Sequence, residues 1–424
     1  MKYYSFLLIL FMALCLSLGN GNKVQAGSLK TRGVWVSCFE FEELGLKDKT
    51  EAQFRANANQ IFATIRANGC NTVYFHVRAY DDAIYPSSVA GFSKYISSDG
   101  KAPGYDPLKI LVSLAHSHKL KIHAWMNPYR VSSTKILDPA SETTTARIVN
   151  QVKEIINRYA VDGIHFDDYF YPTNIKKYKK VPAATRRQNV NVMVQKVYQT
   201  VKQKKKSLKF GISPAGDITY CEKIGADVRT WLSQSGYVDY IIPQIYWSNN
   251  YIMSGKKTAL FNERLAKWRE INKRDVPMYV GLALYKTGYS LKEDPGWKKS
   301  SGNIASQIRQ IRSGNTEGYV FFAYKDLIRS GAAKELKKYY KAIGKITLNK
   351  KKKTLRAGKK YRLKVSFWPA KLHGKIKWKS SNKKIAVVSK KGVVKAKKKG
   401  TVRIYAIYGT MKKSCKIVVK KKRK

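Results

Sequence analysis

The chain has 424 residues, 44% apolar and 26% charged, which excludes a mainly disordered polymer and leaves room for one large domain and one small one. Its 83 Lys and Arg against 27 Asp and Glu give a formal net charge of +56. The excess is uneven: residues 345–424 hold 31 basic side chains and no acidic one, leaving 52 basic against 27 acidic in the first 344.

Residues 1–26 read as an export leader, with Lys2 as positive charge, an apolar run at Phe6–Leu18 and a small-residue cleavage site at Val24-Gln25-Ala26. The run is too short to span a bilayer, and no later stretch approaches about 20 apolar residues. Cys15 follows Leu14, where a lipidation signal needs a small residue, so a secreted, extracellular or wall-associated protein is expected. Cys38, Cys70, Cys221 and Cys415 have neither metal spacing nor disulfide density and read as isolated thiols.

From Thr31 to about Ala342, strand-like and helix-like segments alternate. The predicted strands are Gly33–Cys38, Thr72–Val77, Lys121–Met126, Gly163–Asp167, Lys209–Ser213, Tyr240–Tyr246, Met278–Leu282 and Gly318–Phe322. Helix-sized crossovers between short apolar runs require a parallel sheet, and these units suit an α/β fold, the (β/α)8 TIM-type barrel. An open doubly wound sheet would need a glycine-rich phosphate loop after the first strand. Here that turn is Ser37-Cys38-Phe39-Glu40-Phe41-Glu42-Glu43, acidic and aromatic. After Gly344 the pattern changes to short alternating strands between Gly, Asn and Lys turns, as in a small all-β sandwich with Phe367 and Trp378 as its bulky core residues. The expected organisation is therefore a leader (1–26), a barrel (29–343), a sandwich (345–420) and a basic tail (420–424).

Such barrels carry their chemistry on the loops after the strands, and strand residues two apart share a face. That parity gathers His76 and Arg78 from the second strand, and His123, Trp125 and Asn127 from the third. The fourth offers His165 and Asp167, the fifth ends in Ser213-Pro214, and the sixth offers Gln244 and Tyr246. Three of the chain's six histidines fall in this pattern. The catalytic candidates are Asp167 and Asp168, where a carboxylate arrives as an apolar strand ends and an aromatic loop begins. Beside rings that exclude water, such a group can be held protonated as a general acid. Adjacent residues on a regular strand face opposite sides, so Asp167 leads and Asp168 follows.

A second carboxylate could come from Glu40, Glu42, Asp81, Asp82 or Asp217. The seventh strand ends in Leu282-Ala283-Leu284-Tyr285 and offers none, against the common plan with acids after strands four and seven. Aromatic rings at strand ends, among them Trp125, Tyr129, Tyr169, Tyr171, Tyr246, Trp247 and Tyr285, can stack on sugar faces, whereas Trp35 reads as core. Arg78, Asn127 and Gln244 can bond hydroxyls or N-acetyl groups. Asp81, His123, Arg130 and His165 complete the expected substrate-binding set.

Thr31-Arg32-Gly33-Val34-Trp35-Val36, Asp82-Ala83-Ile84-Tyr85-Pro86, His123 to Arg130, Asp162 to Tyr169, Gly211-Ile212-Ser213-Pro214 and Asp239 to Trp247 together resemble the glycosyl hydrolase-like family 10. The resemblance spans about Leu29 to Ala342. It implies a (β/α)8 barrel with glycosidase activity, and in one bacterial branch the substrate is peptidoglycan glycan already stripped of its peptides. The fourth strand also faintly resembles the chitinase motif, but His165 replaces an acid and Tyr169 stands where the catalytic Glu would be. The stretch Ile346–Val419 is similar to the bacterial immunoglobulin-like group 2 domain, through Trp378 to Asn382, Ile385 to Val388, Gly392-Val393-Val394 and Gly400.

The expected function is a secreted glycosidase acting on wall glycan, with no cofactor and no metal. The alternatives are a silent carbohydrate-binding or adhesion protein, and a metal-dependent deacetylase with His76, His123, His165 and Asp167 around an ion. The expected partners of the basic domain are anionic wall polymers or a membrane surface. Nucleic acid is not expected, because an exported protein seldom meets it and no base-reading motif is present.

Overall fold

The computed structural model describes residues 29–172, 175–298, 302–314 and 316–422; the leader at 1–26 and the last two residues of the basic tail lie outside the described residues. The alternation resolves into parallel strands β1 (Thr31–Val36), β2 (Thr72–Arg78), β3 (Lys121–Met126), β4 (Gly163–Phe166), β5 (Lys209–Ile212), β6 (Tyr240–Ile241), β7 (Tyr279–Ala283) and β8 (Gly318–Phe322). Their order is β7-β8-β1-β2-β3-β4-β5-β6. Parallel bridges Ile241–Met278 and Gln244–Gly281 join the two ends and close the barrel.

Around it run α1 (Glu51–Ala67), α2 (Pro107–Ser117), α3 (Glu142–Arg158), α4 (Ala183–Lys204), α5 (Val228–Ser233), α6 (Leu260–Ile271), α7 (Asn303–Arg312) and α8 (Ala333–Ile343). Their starts are written in the sequence: Thr50 and Gln53 form a capping box, and Asp106 and Ser141 accept from backbone N–H groups of the first turns of α2 and α3. In α1 the helical spacing of Phe54, Ala58, Ile61, Phe62 and Ile65 buries one stripe on the sheet.

The sixth strand is shorter than its apolar run. Pro243 has no N–H for the ladder, and Ile245 and Tyr246 turn back to the carbonyls of Pro243 and Gln244 at 3.0 and 2.9 Å. Gln244 and Tyr246 thus sit on a turn at the barrel mouth.

The interior is filled by rings. Tyr74, Tyr240, Trp35 and Trp125 share one buried cluster with Ile242 and Val320, and the His123 and His165 imidazoles lie among them. The strands make room with glycine. A Cβ on Gly163 would stand 2.5 Å from His123 Nδ1, and one on Gly211 would stand 2.4 Å from the Tyr240 ring.

Beyond α8 the chain forms the all-β domain. Lys352–Arg356, Met411–Lys420, Gly400–Tyr408 and Lys377–Ser380 make a four-stranded sheet, and Lys360–Arg362, Val393–Ala396 and Ala386–Val388 a three-stranded one. Its core is aliphatic, with Leu363, Val394, Ile404 and Ile417 buried and Trp378 packed at the side. Phe367, expected in that core, instead meets Tyr408 edge-on. The domain touches the barrel at the N-terminal ends of the strands. There Arg32 lies 4.9 Å over the Trp368 ring, and the Lys371 N–H donates to the Ala67 carbonyl at 3.3 Å. All four described cysteines are free and buried.

The ring-filled interior predicts the cost of overfilling it. Gly211→Ala forces a methyl into Tyr240 and should destabilise the barrel by about 1–3 kcal/mol, read as a lower thermal unfolding midpoint; an unchanged midpoint would refute the packing argument.

Candidate active site

At the C-terminal ends of the strands a cavity of about 240 Å3 opens, lined at its base by Trp35, His76 and Trp125 and at its sides by Tyr246, Tyr285 and Phe322. Asp167 and Asp168 both face it. A second, more open space of about 470 Å3 adjoins it, lined by Ser132, Ser133, Thr134 and Tyr171, and the two share Arg130, Asp168, Tyr169 and Gln244.

Both aspartates reach the cleft because β4 stops one residue early. The ladder ends where the Ser213 N–H meets the Phe166 carbonyl at 2.8 Å. The backbone then turns, with Phe170 N–H donating to the Asp168 carbonyl at 2.9 Å and Tyr169 N–H to Asp167 Oδ1 at 3.3 Å. The strict alternation that would send Asp168 away no longer applies. Gln244 Nε2 ties Asp168 to the opposite rim, donating to its Oδ1 at 3.4 Å and to the Ser213 carbonyl at 2.9 Å.

Burial raises both carboxyls. Asp167 is pushed well above the usual carboxylate range by desolvation and then by the neighbouring Asp168 charge. Asp168, half-buried between the two spaces, is raised to about 6, chiefly by desolvation, with Gln244 and Arg130 acting in the opposite sense. The Trp125 N–H also lowers Asp167, although it falls short of a well-formed hydrogen bond. Like charges this close resist ionising together, so the two acids titrate as a pair, and burial favours leaving the last proton on the more buried Asp167.

Three buried polar atoms at the base, His76 Nε2, Trp125 Nε1 and Asn127 Oδ1, make no well-formed hydrogen bond among the described residues, although the His76 and Asn127 side chains interact and the Trp125 N–H acts on Asp167. His76 stacks on Trp125 with ring centroids 3.8 Å apart and planes 7° from parallel. Buried polar groups are normally satisfied, so atoms this weakly engaged are available to polar groups of a ligand.

Of the residues read from the sequence as substrate-binding, Trp125, Asn127, Arg130, Gln244 and Tyr246 line the cleft. The others do not, each for a physical reason. Arg78 is buried and gives its N–H groups to the Asn127 carbonyl and to Asp81 Oδ1, so it braces the loop beneath the cleft. Asp81 is held between Arg78 and a two-point contact with Arg147 at 3.1 and 3.0 Å. Trp247 faces another groove, near Arg264.

His123 and His165 lie below the floor. Trp35 Nε1 can only donate, so His165 Nε2 accepts its proton at 3.1 Å. His165 Nδ1 then donates to Tyr240 Oη at 3.2 Å, and that hydroxyl has His123 Nδ1 at 2.9 Å and the Ile164 carbonyl at 3.5 Å within reach. Burial depresses His165 well below its ordinary value and His123 to about 4, so both are neutral packing groups. His76, lowered to about 3 by burial, is engaged separately by the Cys38 N–H. Among the described residues no three His, Cys, Asp or Glu side chains converge as a metal site would require.

The other candidate carboxylates are occupied. Glu40 closes a capping box with Ser37 and accepts from the Lys325 N–H at 2.7 Å. Asp82 accepts from Ala79 and Tyr80, and Asp217 caps a short helix. Trp35, expected only as core, is buried yet forms part of the floor. Ser37, Phe39 and Phe322 also line the cleft and were not singled out from sequence. Phe322 shares the inward parity of Val320, a signal that was available.

Two family models match the chain. Glycosyl hydrolase-like 10 covers residues 30–136 and 131–299, and Bacterial Ig-like domain (group 2) covers 342–419. Glycosyl hydrolase YngK of Bacillus subtilis (strain 168) is 30% identical over 357 residues, spanning 70% of this chain and 68% of that one. Glycosyl hydrolase DigH of Escherichia coli (strain K12) is 30% identical over 352 residues, 66% of this chain and 78% of that one. Among solved structures, the PgaB (BpsB) glycoside hydrolase domain from Bordetella bronchiseptica superposes with a TM-score of 0.52 at 12% identity, covering 72% of this chain and 98% of that one. The catalytic domain of a beta-amylase from Paenibacillus polymyxa gives 0.50 at 8% identity, covering 75% and 99%. Both share the barrel.

A carboxyl whose pKa is higher folded than unfolded weakens the folded state once pH exceeds its unfolded value near 3.8; the penalty is complete above about pH 6 for Asp168. Asp168→Asn should therefore stabilise the protein at pH 7.5 by about 1–3 kcal/mol, with the gain shrinking toward pH 4. Thermal unfolding at both pH values checks this.

Proposed function

The chain belongs to the glycosyl hydrolase-like family 10 and is a glycoside hydrolase; we propose that it acts outside the cytoplasm on the β-linked amino-sugar chains of the bacterial cell wall. The observation that carries this reading is the pair of neighbouring carboxylates with raised pKa values in an aromatic cleft. Asp167, protonated at neutral pH, gives its proton to the glycosidic oxygen as the bond breaks. Asp168, ionised, faces the positive charge that develops at the anomeric carbon, and water adds there as its proton restores the Asp167 carboxyl. Trp125, Tyr246 and Tyr285 offer flat apolar surfaces for a pyranose, while Asn127 and Gln244 reach its polar groups. The preference for peptide-stripped peptidoglycan follows from the resemblance to the branch with that substrate. The leader-like residues 1–26 support export.

The basic domain gives the second half of the proposal. Its charge is a burden on folding, since like charges repel, and polyanions outside a cell relieve it. Residues 345–424 thus tether the enzyme to anionic wall polymers or a membrane surface. A protein ending at Gly344 should lose salt-sensitive sedimentation with isolated walls and still cleave soluble glycan. Equal wall binding by both forms would remove the tether.

Asp167→Asn should lower kcat on purified glycan strands about 10²–10⁴-fold with binding retained. Activity should rise with pH through about 6, as Asp168 ionises, and fall at higher pH as Asp167 loses its proton. Asp168→Asn should abolish the acid limb. Release of reducing ends against pH measures all three; near-normal turnover by Asp167→Asn would overturn the assignment.

A further inference from the structure

Arg130 is placed unlike the arginines around it. Arg78 gives its N–H groups to Asn127 and Asp81, Arg147 pairs with Asp81, and Arg186 bonds the Lys223 and Tyr178 carbonyls. Arg130 instead sits between two phenol rings, 3.9 Å from the Tyr169 centroid and 5.2 Å from that of Tyr80. Tyr169 also meets it through its hydroxyl. No described carboxylate stands within ion-pair distance of it. A guanidinium carries five N–H donors, more than one phenol hydroxyl takes up, so N–H groups remain for a further acceptor.

The backbone aims this charge at the ligand space. Arg130 follows β3 and bridges to Ile136, and between them Val131 and Ser132 N–H groups close a turn on the Lys135 carbonyl at 2.9 and 3.1 Å. That turn sets Ser132, Ser133 and Thr134 along the wider space, with Arg130 where it meets the catalytic cleft. The region therefore offers a cation that acts on Asp167 and Asp168 through space yet forms no direct ion pair among the described residues, hydroxyls beside it and a volume of about 470 Å3. A neutral sugar has nothing to match the cation. A sugar carrying a carboxylate does, through the planar two-point contact that guanidinium and carboxylate form.

We propose that Arg130 recognises a carboxylate carried by a sugar next to the cleaved bond, so that the cleft selects acidic amino-sugar chains over neutral ones. The proposal rests on the glycan-hydrolase reading above and narrows it. In peptide-stripped wall glycan the group is the free lactyl carboxylate of muramic acid, which an attached peptide converts into a neutral amide. The same chemistry in a uronic acid would place the carboxylate on C5 of the ring.

The test uses four substrates: peptide-free glycan strands, the same strands with their carboxylates coupled to methylamine, neutral chitin oligomers, and uronate-containing amino-sugar oligomers. For the wild type, kcat/KM should be roughly 10–100-fold higher on acid strands than on amidated ones. In Arg130→Met that ratio should fall toward one, and in Arg130→Lys, which keeps charge without the fork, it should lie between. The ratio isolates recognition from any general effect of the variant on Asp167 and Asp168, and thermal unfolding checks that the variants fold. Equal wild-type rates on acid and amidated strands, or an undiminished ratio in Arg130→Met, overturn the proposal. Preference for the uronate oligomers keeps Arg130 as the carboxylate reader and moves the group to C5. If wall glycan is not cleaved at all, the wall-glycan reading fails by itself. Calorimetry of Asp167→Asn with acid and amidated muramyl disaccharides and with uronate oligomers then decides: tighter binding of an acidic sugar, lost on adding Arg130→Met, supports it, and absence of such a preference overturns it.

Discussion

His165 sits where several hydrogen-bonding demands meet in a space that water does not reach. The Trp35 indole needs an acceptor, the Tyr240 oxygen lies where it can accept, and one neutral imidazole meets both. Protonating it would set two donors against each other at Nε2 and place a charge among rings, which is why burial drives its pKa down. The rings bound in this way fix the height of Trp35, and Trp35 is part of the floor on which the cleft stands. Gly163 and Gly211 are the cost of that arrangement: two strands surrender their side chains so that His123 and Tyr240 fit.

Above that floor the same low polarity serves an opposite end. Water exclusion that keeps histidines neutral also raises Asp167, and a carboxyl that keeps its proton to higher pH is better placed to donate it. The price in stability is borne by two adjacent acids, neither of which has an ion-pair partner among the described residues, although Gln244 and Arg130 soften the cost for Asp168. Asp81 does have such partners, Arg78 and Arg147, and takes no place in the cleft.

That distinction marks the limit of what the sequence carries. Apolar runs and helical spacing located the barrel, and two-residue parity put Trp125 with Asn127 on the cleft side. Parity alone says nothing of depth, so His123 and His165 share a face with Trp125 and Asp167 yet lie beneath the floor. It also fails where a strand ends, and Asp168 joins Asp167 because β4 stops at Phe166. Pro243 carries the warning that the sixth run would break. Nothing local to Arg78 shows that the Asn127 carbonyl would occupy it, because that contact joins residues 49 apart in sequence. In the Lys352–Arg356 strand lysines mask the alternation, which becomes visible only when it lies along Met411–Lys420.

The position of the basic domain bears on how such a charge can coexist with an active site. Its contacts with the barrel gather at the N-terminal ends of the strands, through Arg32 and Trp368 and through Ala67 and Lys371. The cleft opens at the C-terminal ends, so a barrel's thickness of protein separates them. Fields from exposed charges are screened within about 8 Å at physiological salt. Thirty-one positive charges placed at the mouth would pull Asp167 and Asp168 toward ionisation and draw polyanions into the cleft without regard to their sugars. At the far end they can hold a surface while the local balance of two acids, one arginine and a dry floor sets the chemistry.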